Sequence, residues 1–349
     1  MKNTIFIRVE SGNDVGYGHI MRCLALAINL KKFFNVIFLS TNSSGNLNSI
    51  IKKNHFKRIG IRIISTSSSN KKNKNDAEQT IKIIKKFGNE KSLLLVDNYN
   101  ISIRWESLVK PFVRKLIVID DLIYRKHDCD LIIDQNLHTN MKKLYQNSIP
   151  KSCQKLFGPK YALLRKQFLT QRKHIKKRSL PIEKILVSFG GSDKKNHTLS
   201  ILNSIKSLDQ IKRIYVVVGR ASSNKHKIKN FCKNYPHFQY IEQSENMATL
   251  MRSSDLSIGS GGTTTWERCC LGLPSIIFVS SNDQKDIAEA ISKTNCGINL
   301  GQFNTSSKSL IPKIVLSFKK KEFEKMSKTC MNLVDGKGAI RITNVIRKL

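Results

Sequence analysis

The stretch that decides the fold is TIFIRVESGNDVGYGHIMRCLALA, which occupies residues 4–27. Its first six residues form a short, mostly apolar run of the kind found in strands that are buried on both faces. Glycines follow at positions 12, 16 and 18, and from His19 onward the apolar residues take helical spacing. A buried strand, a glycine-rich turn and a helix in this order indicate an α/β protein with a parallel sheet.

The same alternation of apolar runs and helical spacing continues along both halves of the chain. In the first half we expect strands at 4–9, 36–40, 61–65, 92–96, 115–119 and 131–134, and helices at 19–33, 46–54, 76–87 and 103–110. In the second half we expect strands at 184–189, 213–218, 238–241, 255–258 and 275–279. Each half is therefore predicted to be an α/β unit whose parallel sheet is covered by helices on both faces.

Two polar segments interrupt this pattern. Residues 65–75 are rich in Ser, Lys and Asn without periodicity, and we expect a mobile loop there. Residues 171–181 are basic and end in proline, which predicts a linker between domains, with an ordinary surface loop as the alternative. We expect a first domain over 1–175 and a second over 182–349, whose last helix could pack back on the first domain.

Composition bounds the class of protein. The 349 residues include 61 Lys and Arg against 25 Asp and Glu, a formal charge of +36, yet 40% hydrophobic and 25% charged residues are ordinary for a globular protein. No apolar run approaches the roughly 18–20 residues of a membrane-spanning helix. The basic residues are spread along the chain, which favours compositional drift of the surface over a nucleic-acid or membrane site.

The eight cysteines form no C-x-x-C pair and have no regular spacing. A zinc site or a disulfide framework needs closer or more rhythmic placement. The pattern therefore indicates scattered, reduced thiols in a cytoplasmic protein.

The first candidate site follows the first strand, because parallel sheets bind ligands at the carboxyl ends of their strands. Gly16 and Gly18 allow the backbone to approach a ligand closely, and the helix that follows offers free N–H groups to a phosphate or a developing anion. His19 in its first turn could accept a proton from water. A helix-capping loop with an incidental histidine is the alternative.

Two strands in the first half end in polar pairs, Asp97-Asn98 and Asp120-Asp121. Such residues can line a cleft, but a carboxylate at a strand end is also a common helix cap, and we expect one member of each strand-end set to be a cap. Tyr99 is the stronger candidate, because a phenol can hydrogen-bond to a sugar or stack on it.

The second half presents two glycine-rich turns. In the first, Gly190, Gly191 and Ser192 suit a diphosphate, with a plain tight turn as the alternative. The second, GSGGTTTWE at residues 259–267, opens a helix and could hold phosphate oxygens with its N–H groups and hydroxyls, while Glu267 could accept two ribose hydroxyls. A purely structural turn would hardly need so many hydroxyls. The loop residues expected to bind substrate are Gly261, Gly262, Thr263 and Thr264, with Asn282 and Gln284 after a later strand.

Taken in order, these motifs make the chain resemble the UDP-2,4-diacetamido-2,4,6-trideoxy-β-L-altropyranose hydrolases of the pseudaminic acid pathway, which are similar to MurG-type GT-B glycosyltransferases. The matching pieces are Arg8 to Cys23, which contains Gly16-Tyr17-Gly18-His19 and Met21-Arg22-Cys23, then Val96-Asp97-Asn98-Tyr99, Asp120-Asp121-Leu122, Cys129-Asp130 through Asp134-Gln135-Asn136, Gly190-Gly191-Ser192-Asp193 and Gly261 to Glu267. They span about residues 4–300.

The resemblance implies two Rossmann-like domains whose sheets face each other across a cleft, with UDP held mainly by the second. It implies that His19 activates water for attack at the anomeric carbon, with inversion and loss of UDP. Arg22, Tyr99 and Asn282 would contact the substrate, and Glu267 the ribose. No metal and no cofactor are expected, so N–H groups and helix dipoles would stabilise the leaving diphosphate.

Two positions depart from the family pattern. Glu10 stands where the family usually has Asp, and Asn98 stands where it often has His. The first change leaves the general chemistry intact but puts the details of substrate binding in doubt. The second leaves His19 as the sole obvious base.

Two other functions compete with the hydrolase. A GT-B glycosyltransferase would use the same donor site with an acceptor hydroxyl in place of water, and apolar residues among the basic ones at 47–64 could serve a lipid-linked acceptor or simply be buried. A nucleic-acid-binding protein should show clustered charge and exposed aromatics, whereas aromatics make up only 7% of the chain and fall mostly within the apolar runs. We expect a monomer without nucleic acid or stable membrane association, whose charge draws in anionic UDP-sugars.

Overall fold

A computed structural model describes residues 2–12, 15 and 17–349, with only the backbone of Asp283 and Thr305. The chain forms two compact units. Unit 1 extends to Arg165 and also includes Lys337–Leu349, and unit 2 is Lys166–Gly336. Within the described residues, no helix is both long and apolar enough to cross a membrane.

The boundary between the units differs from the expected linker at 171–181, which lies inside unit 2. Its arginines are bound to the body of this unit. Arg172 donates to the carbonyls of Cys270, Met331 and Val334, and Arg178 is buried and donates to those of Met251 and Leu271. The basic composition of 171–181 suggested an exposed linker, but its arginines bind main-chain carbonyl oxygens of unit 2.

Unit 1 contains a seven-stranded parallel sheet in the order β3-β2-β1-β4-β5-β6-β7. The strands are β1 (Thr4–Val9), β2 (Asn35–Ser40), β3 (Lys57–Gly60), β4 (Leu93–Asp97), β5 (Lys115–Ile119), β6 (Leu131–Asp134) and β7 (Gln154–Phe157). The helices of this unit are α1 (Gly18–Leu30), α2 (Asn48–Lys53), α3 (Ser69–Phe87), α4 (Ile103–Val109), α5 (Met141–Leu144) and the C-terminal helix Gly338–Ile346.

Apolar clusters cover both faces of this sheet, because successive side chains of a strand point to opposite faces. Ile5 and Ile7 belong to the cluster that includes α1 and the C-terminal helix, whereas Phe6 belongs to the one that includes α3 and α4. In the C-terminal helix, Ala339, Ile342 and Ile346 are the buried members. This helix therefore completes the core of unit 1, although it follows unit 2 in the chain.

Three predictions in unit 1 are corrected. The strand expected at 61–65 lies at Lys57–Gly60, a four-residue neighbour of β2 alone, and Ile63 and Ile64 are exposed. The segment 65–75 is not a loop throughout, since helix α3 begins at Ser69 after Ser68 caps it by accepting from the N–H of Lys71. Strand β7 was not predicted at all.

Unit 2 contains a six-stranded parallel sheet in the order β10-β9-β8-β11-β12-β13. The strands are β8 (Lys184–Ser188), β9 (Arg213–Val218), β10 (Phe238–Glu242), β11 (Leu256–Ser260), β12 (Ser275–Val279) and β13 (Gly297–Gln302), of which only β13 was not predicted. The helices are α6 (Lys166–Arg172), α7 (His197–Ile205), α8 (Lys225–Lys233), α9 (Met247–Ser253), α10 (Thr264–Cys270), α11 (Lys285–Lys293), α12 (Thr305–Ser317) and α13 (Lys320–Leu333).

Both sheets share one feature that positions ligands. The strand order reverses beside the first strand of each unit, between β1 and β4 in unit 1 and between β8 and β11 in unit 2. Ligands of open parallel sheets bind beyond the carboxyl ends of strands at such a reversal. The expected site residues follow these strands in both units, with the last two after the neighbouring β12.

Candidate active site

Two residues meet at the reversal in unit 1. Asp97 is the last residue of β4 and pairs in register with Val9 of β1, while His19 lies in the first turn of α1. Nδ1 of His19 lies 2.6 Å from Oδ1 of Asp97, and the carboxylate is fully buried. The strand order thus joins two side chains that are 78 residues apart in sequence.

Arg22, one turn further along α1, binds the same carboxylate with two nitrogens. Its Nε donates to Oδ2 of Asp97 at 2.7 Å and its Nη2 donates to Oδ1 at 2.6 Å. Its Nη1 donates to Oδ2 of Asp121, after β5, at 3.0 Å. Such a two-pronged pair is strong and fixes the orientation of both groups. One arginine therefore holds the two strand-end carboxylates.

The charges of this cluster determine which groups are ionised. Burial alone would raise the pKa of the Asp97 carboxyl, but Arg22 and His19 outweigh burial and hold this pKa below its usual range. Burial likewise opposes the lowering of the pKa of Asp121, which Arg22 and the Tyr99 hydroxyl bring about. The pKa of Arg22 lies well above its ordinary value, because both carboxylates overcome the cost of burying its charge. Both carboxylates are thus anionic at neutral pH.

The ionised Asp97 also orients the histidine. A carboxylate only accepts hydrogen bonds, so Nδ1 of His19 carries the proton and the lone pair is at Nε2. Nη2 of Arg22 approaches Nδ1 to 3.2 Å, and since both nitrogens carry protons this is a close contact, not a hydrogen bond. The arrangement leaves Nε2 as the basic atom of the cluster.

Tyr99 packs against the histidine. The two rings meet edge to face with centroids 4.5 Å apart, and the Tyr99 hydroxyl donates a short hydrogen bond to Asp121. Burial, and then the Asp121 charge, raises the pKa of this phenol well above its ordinary value. Its proton is therefore committed to Asp121, which leaves the ring and an oxygen lone pair for a ligand.

The structure adds Asp97 and Asp121 to the candidate site, although strand-end carboxylates were expected to be partly helix caps. The sequence contains one signal for the role of these two carboxylates. His19 and Arg22, which bind them, are three residues apart and therefore lie on one face of α1. Gly18 is the exposed first residue of α1, and Gly16 lies outside the described residues.

Glu10 and Asn98, which depart from the family pattern, both have structural roles. Glu10 is buried, pairs with Arg8 at 2.5 Å and accepts from the N–H and hydroxyl of Thr41. Asn98 is buried and its side-chain oxygen accepts from the N–H of Asn100, which closes the turn after β4. Both residues hold loops in place beside the His19 cluster.

In unit 2 the turn after β8 is built on backbone. Gly190 has φ +85°, a conformation that favours glycine, and a Cβ added to Gly219 would lie 2.1 Å from the carbonyl oxygen of Gly191. Asp193 accepts from the N–H groups of His197 and Thr198 at the start of α7. Ser192 is half-buried between these features. The turn thus also caps α7, and its use as a diphosphate site stays a prediction.

In the loop after β11 and the first turn of α10, some N–H groups bind carbonyls of the same segment. The N–H of Thr265 binds the Gly262 carbonyl and the N–H of Trp266 binds that of Thr263, so neither is free for a ligand. The Thr265 hydroxyl accepts from Arg268. Among the residues that the structure describes, no partner is found for the N–H groups of Gly262, Thr263 and Thr264. These three consecutive donors are the candidate anion site of unit 2.

The later loop residues flank this anion site to different degrees. Gln284 accepts from the N–H of Ser280, and a Cβ added to Gly262 would lie 3.8 Å from its Nε2. Asn282 is exposed in the short turn Asn282–Gln284, and Glu267 is half-buried on α10. Gln284 therefore borders the loop, and binding of substrate by Gln284, Asn282 and Glu267 stays a prediction.

Comparison with known proteins agrees with this architecture. Residues 185–340 match the family model of the glycosyltransferase family 28 C-terminal domain. The MurG structure of Acinetobacter baumannii superposes with a TM-score of 0.72 at 13% identity and full coverage of both chains. This confirms the predicted GT-B fold.

Two curated relatives extend over most of the chain. The uncharacterized protein MJ1062 of Methanocaldococcus jannaschii is 30% identical over 302 residues, which are 83% of this chain but only 59% of that protein. The UDP-2,4-diacetamido-2,4,6-trideoxy-beta-L-altropyranose hydrolase of Campylobacter jejuni is 27% identical over 283 residues, covering 80% of this chain and 93% of the relative. The resemblance seen in the sequence is therefore confirmed: the chain is a homologue of this hydrolase, with a glycosyltransferase family 28 C-terminal domain and a MurG-like GT-B fold.

Proposed function

We propose that the protein is an enzyme that acts on UDP-sugars and hydrolyses UDP-2,4-diacetamido-2,4,6-trideoxy-β-L-altrose to UDP and the free sugar, a step of nonulosonic acid biosynthesis. The observation that carries the proposal is the 2.6 Å contact between His19 Nδ1 and the buried Asp97 carboxylate. The hydrolase relative supports the substrate class.

In this mechanism Nε2 of His19 takes a proton from water as the water oxygen bonds to the anomeric carbon. The bond from that carbon to the diphosphate breaks on the opposite side, so the configuration inverts and UDP leaves. Asp97 stabilises the imidazolium that forms, in the manner of a carboxylate–histidine pair. Because Arg22 keeps the pKa of Asp97 low, the proton stays on the histidine.

Unit 2 would hold the nucleotide. The N–H groups at 262–264 and the Gly190-Gly191-Ser192 turn would bind the diphosphate of the substrate, without a catalytic metal. Glu267 would accept the ribose hydroxyls, Asn282 and Gln284 would lie near the phosphates and sugar, and Tyr99 would pack on the sugar. These assignments follow from their positions after the strands at the two reversals and from the family resemblance.

A glycosyltransferase is the second candidate, because the family 28 domain and the fold of MurG suit a transferase equally. Both reactions need a base beside the anomeric carbon and a site for UDP. They differ in whether water or an acceptor hydroxyl receives the sugar.

The deciding experiment incubates the purified protein with the UDP-sugar alone and follows UDP release and the anomeric configuration of the product by NMR. We expect release without any acceptor and an inverted product. His19→Phe should lower kcat by about 10²–10⁴-fold, the range for loss of a general base. The control His174→Gln changes an exposed histidine and should leave kcat unchanged.

Three outcomes would contradict the proposal. If UDP appears only after an acceptor is added, the protein is a transferase. If His19→Phe keeps wild-type turnover, the base is another group. A requirement for added Mg²⁺ would contradict stabilisation of the diphosphate by N–H groups alone.

A further inference from the structure

Three cysteines that are far apart in sequence meet inside unit 2. Cys269 lies on α10, Cys296 directly precedes β13 and Cys330 lies on α13. Their sulfur atoms all lie within 4.8 Å of one another, and all three side chains are buried. The spacing of the cysteines in the sequence gave no sign of this cluster.

The separation of the sulfurs suits a trigonal metal site. A metal ion bound in the plane of three thiolates, with metal–sulfur bonds of about 2.3 Å, would place the sulfurs about 4.0 Å apart. Thiolates are soft ligands that select ions such as Zn²⁺ and Cu⁺, and oxygen-preferring ions such as Mg²⁺ are disfavoured. The donor set thus specifies the class of ion.

The charges around the cluster favour an anionic occupant. Arg178 and Arg268 are buried, and each interacts electrostatically with Cys330. The hydrogen bonds of Arg178 go to main-chain carbonyls, including those of Met251 and Leu271. Carboxylates also attract these guanidinium groups, Asp255 that of Arg178 and Glu267 that of Arg268.

Among the described residues, the acceptors of Arg268 are likewise neutral oxygens, the Ser260 carbonyl and the Thr265 hydroxyl. In the part of the chain that the structure describes, Nε of Arg178 and Nε of Arg268 are buried without a hydrogen-bond partner. Buried charges are costly unless an opposite charge lies close by. Three thiolates with a divalent ion carry −1, and with a monovalent ion −2, so either complex would offset these guanidinium charges.

The other close pair of thiols lacks these features. Cys129 and Cys153 in unit 1 lie 3.5 Å apart but form a pair without a third sulfur within the described residues. The alternative for the unit 2 cluster is a network of thiol hydrogen bonds, since Cys330 can donate to the Cys296 carbonyl at 3.1 Å. Such a network of neutral thiols would add no negative charge beside the two guanidinium groups.

We propose that Cys269, Cys296 and Cys330 bind one thiophilic metal ion of the Zn²⁺, Cd²⁺ or Cu⁺ class as three thiolates. Binding replaces three S–H bonds with three metal–sulfur bonds and releases three protons to solvent. The ion would tie α10 to α13 and to the start of β13. Since α10 begins at Thr264, the last residue of the loop at 261–264, the ion would also hold the end of that loop. Metal binding by these cysteines does not require that the proposed hydrolysis is correct.

The test uses the full-length protein produced in medium supplemented with Zn²⁺, and then loaded with Cd²⁺ as the spectroscopic probe. We expect one metal ion per chain by elemental mass spectrometry, thiolate-to-cadmium charge-transfer absorption, and three sulfur ligands by X-ray absorption. A second arm loads Cu⁺ to establish whether the monovalent ion binds more tightly. Loading should also raise the Tm, because the ion binds only the folded site.

Matched alanine variants locate the site. Cys296→Ala should lose the bound ion, whereas Cys232→Ala, at a buried cysteine outside the cluster, and Cys153→Ala, in the unit 1 pair, should keep it. The proposal fails if the wild-type protein binds no metal ion, or if Cys296→Ala binds as much as the controls. If Cys296→Ala does not fold, the wild-type X-ray absorption still decides, since two sulfurs or any nitrogen or oxygen ligands would overturn the trithiolate.

Discussion

The carboxyl edge of each sheet, which is the side formed by the carboxyl ends of its strands, has an equivalent position in the two topologies. The two carboxyl edges carry different chemistry. In unit 1 the edge holds ionised side chains, with Asp97 and Asp121 bound by Arg22 and the carboxylate of Asp97 orienting His19. In unit 2 the edge offers backbone donors at 262–264 and a glycine turn at 190–191. A proton acceptor needs a side chain of fixed orientation, whereas a diphosphate can be bound by main-chain N–H groups. The contrast predicts that side-chain changes in unit 1 affect kcat, and that changes in the unit 2 loop affect KM.

The largest expected effect comes from Asp97→Asn, which replaces an acceptor-only carboxylate beside His19 with an amide that can also donate. The amide can favour the wrong tautomer of the imidazole and cannot stabilise the imidazolium as a charge does. We expect kcat to fall about 10³-fold while KM changes little, as measured by UDP release under initial-rate conditions.

Asp209→Asn is the control, because Asp209 is an exposed carboxylate remote in sequence from both edges. A chemical denaturation curve for each variant establishes that the fold remains intact, since breaking a buried ion pair is itself destabilising. Retention of kcat within a few-fold by a folded Asp97→Asn would remove the carboxylate from the mechanism, and the contrast between the edges would lose its main support.

The sequence predicts those elements of the two sheets that have a clear local pattern, and it misses those that lack one. Strand β1 and helix α1 could be predicted, because buried apolar runs and helical spacing are local patterns. Strand β3 is the outermost strand of its sheet and has the sequence Lys-Arg-Ile-Gly. Helix α3 buries only Asp76, Ala77, Thr80 and Ile84 among its 19 residues. Polar edge strands and largely exposed helices lack the apolar pattern on which such predictions rest.

The site divides in the same way. Glycine turns after strands are local features, so the positions of His19 and of the loop at 261–264 could be predicted. The role of Asp97 depends on Arg22, 75 residues away, and that contact exists only once β4 lies beside β1. The cysteine cluster and the burial of Arg178 also arise from tertiary contacts, and no spacing rule could have revealed them.

Unit 1 also contains buried charged groups outside the candidate active site, around His127, and these affect its stability. Nδ1 of His127 lies 2.8 Å from Glu106, and its Nε2 makes an ionic contact of 3.2 Å with Asp120 outside hydrogen-bond geometry. Burial would lower the pKa of His127, but the neighbouring carboxylates of Asp120 and Glu106 outweigh burial and raise this pKa to about 9. His127 is therefore charged in the folded protein at neutral pH.

A histidine whose pKa is higher in the folded state stabilises fully below its unfolded pKa of about 6.5, and this contribution is lost as the pH rises toward 9. We expect unit 1 to lose about 1.5 kcal/mol between pH 6.5 and 8. The two tryptophans report the units separately, Trp105 in unit 1 and Trp266 in unit 2. Denaturation followed by Trp105 fluorescence in a Trp266→Phe background measures the effect.

The matched variant is His127→Gln, which should be less stable at pH 6.5 and should show a smaller loss between pH 6.5 and 8. Trp266 fluorescence in a Trp105→Phe background should report little change over the same interval, because unit 2 does not contain this network. Equal pH slopes for both reporters would show that buried charge does not distinguish the stability of the two units.

The smallest effect is expected in unit 2, where Gly262→Ala adds a methyl group at the candidate anion site. A Cβ at Gly262 would find only Gln284 Nε2 nearby, at 3.8 Å, so the fold should tolerate alanine. The methyl group would nevertheless hinder close approach of a phosphate to the backbone. KM for the UDP-sugar should rise about tenfold, or about 1.4 kcal/mol, with kcat nearly unchanged.

Gly60→Ala is the matched control, because a Cβ there would contact only the flexible Arg58 side chain in unit 1. Its KM should equal that of the wild type, and UDP binding measured by calorimetry should weaken in Gly262→Ala alone. A fall in kcat at constant KM would mean that this loop acts in the transition state and not in ground-state binding. Backbone donors would then share the catalytic role assigned to unit 1, because donors aimed at the departing diphosphate would stabilise charge only as it develops.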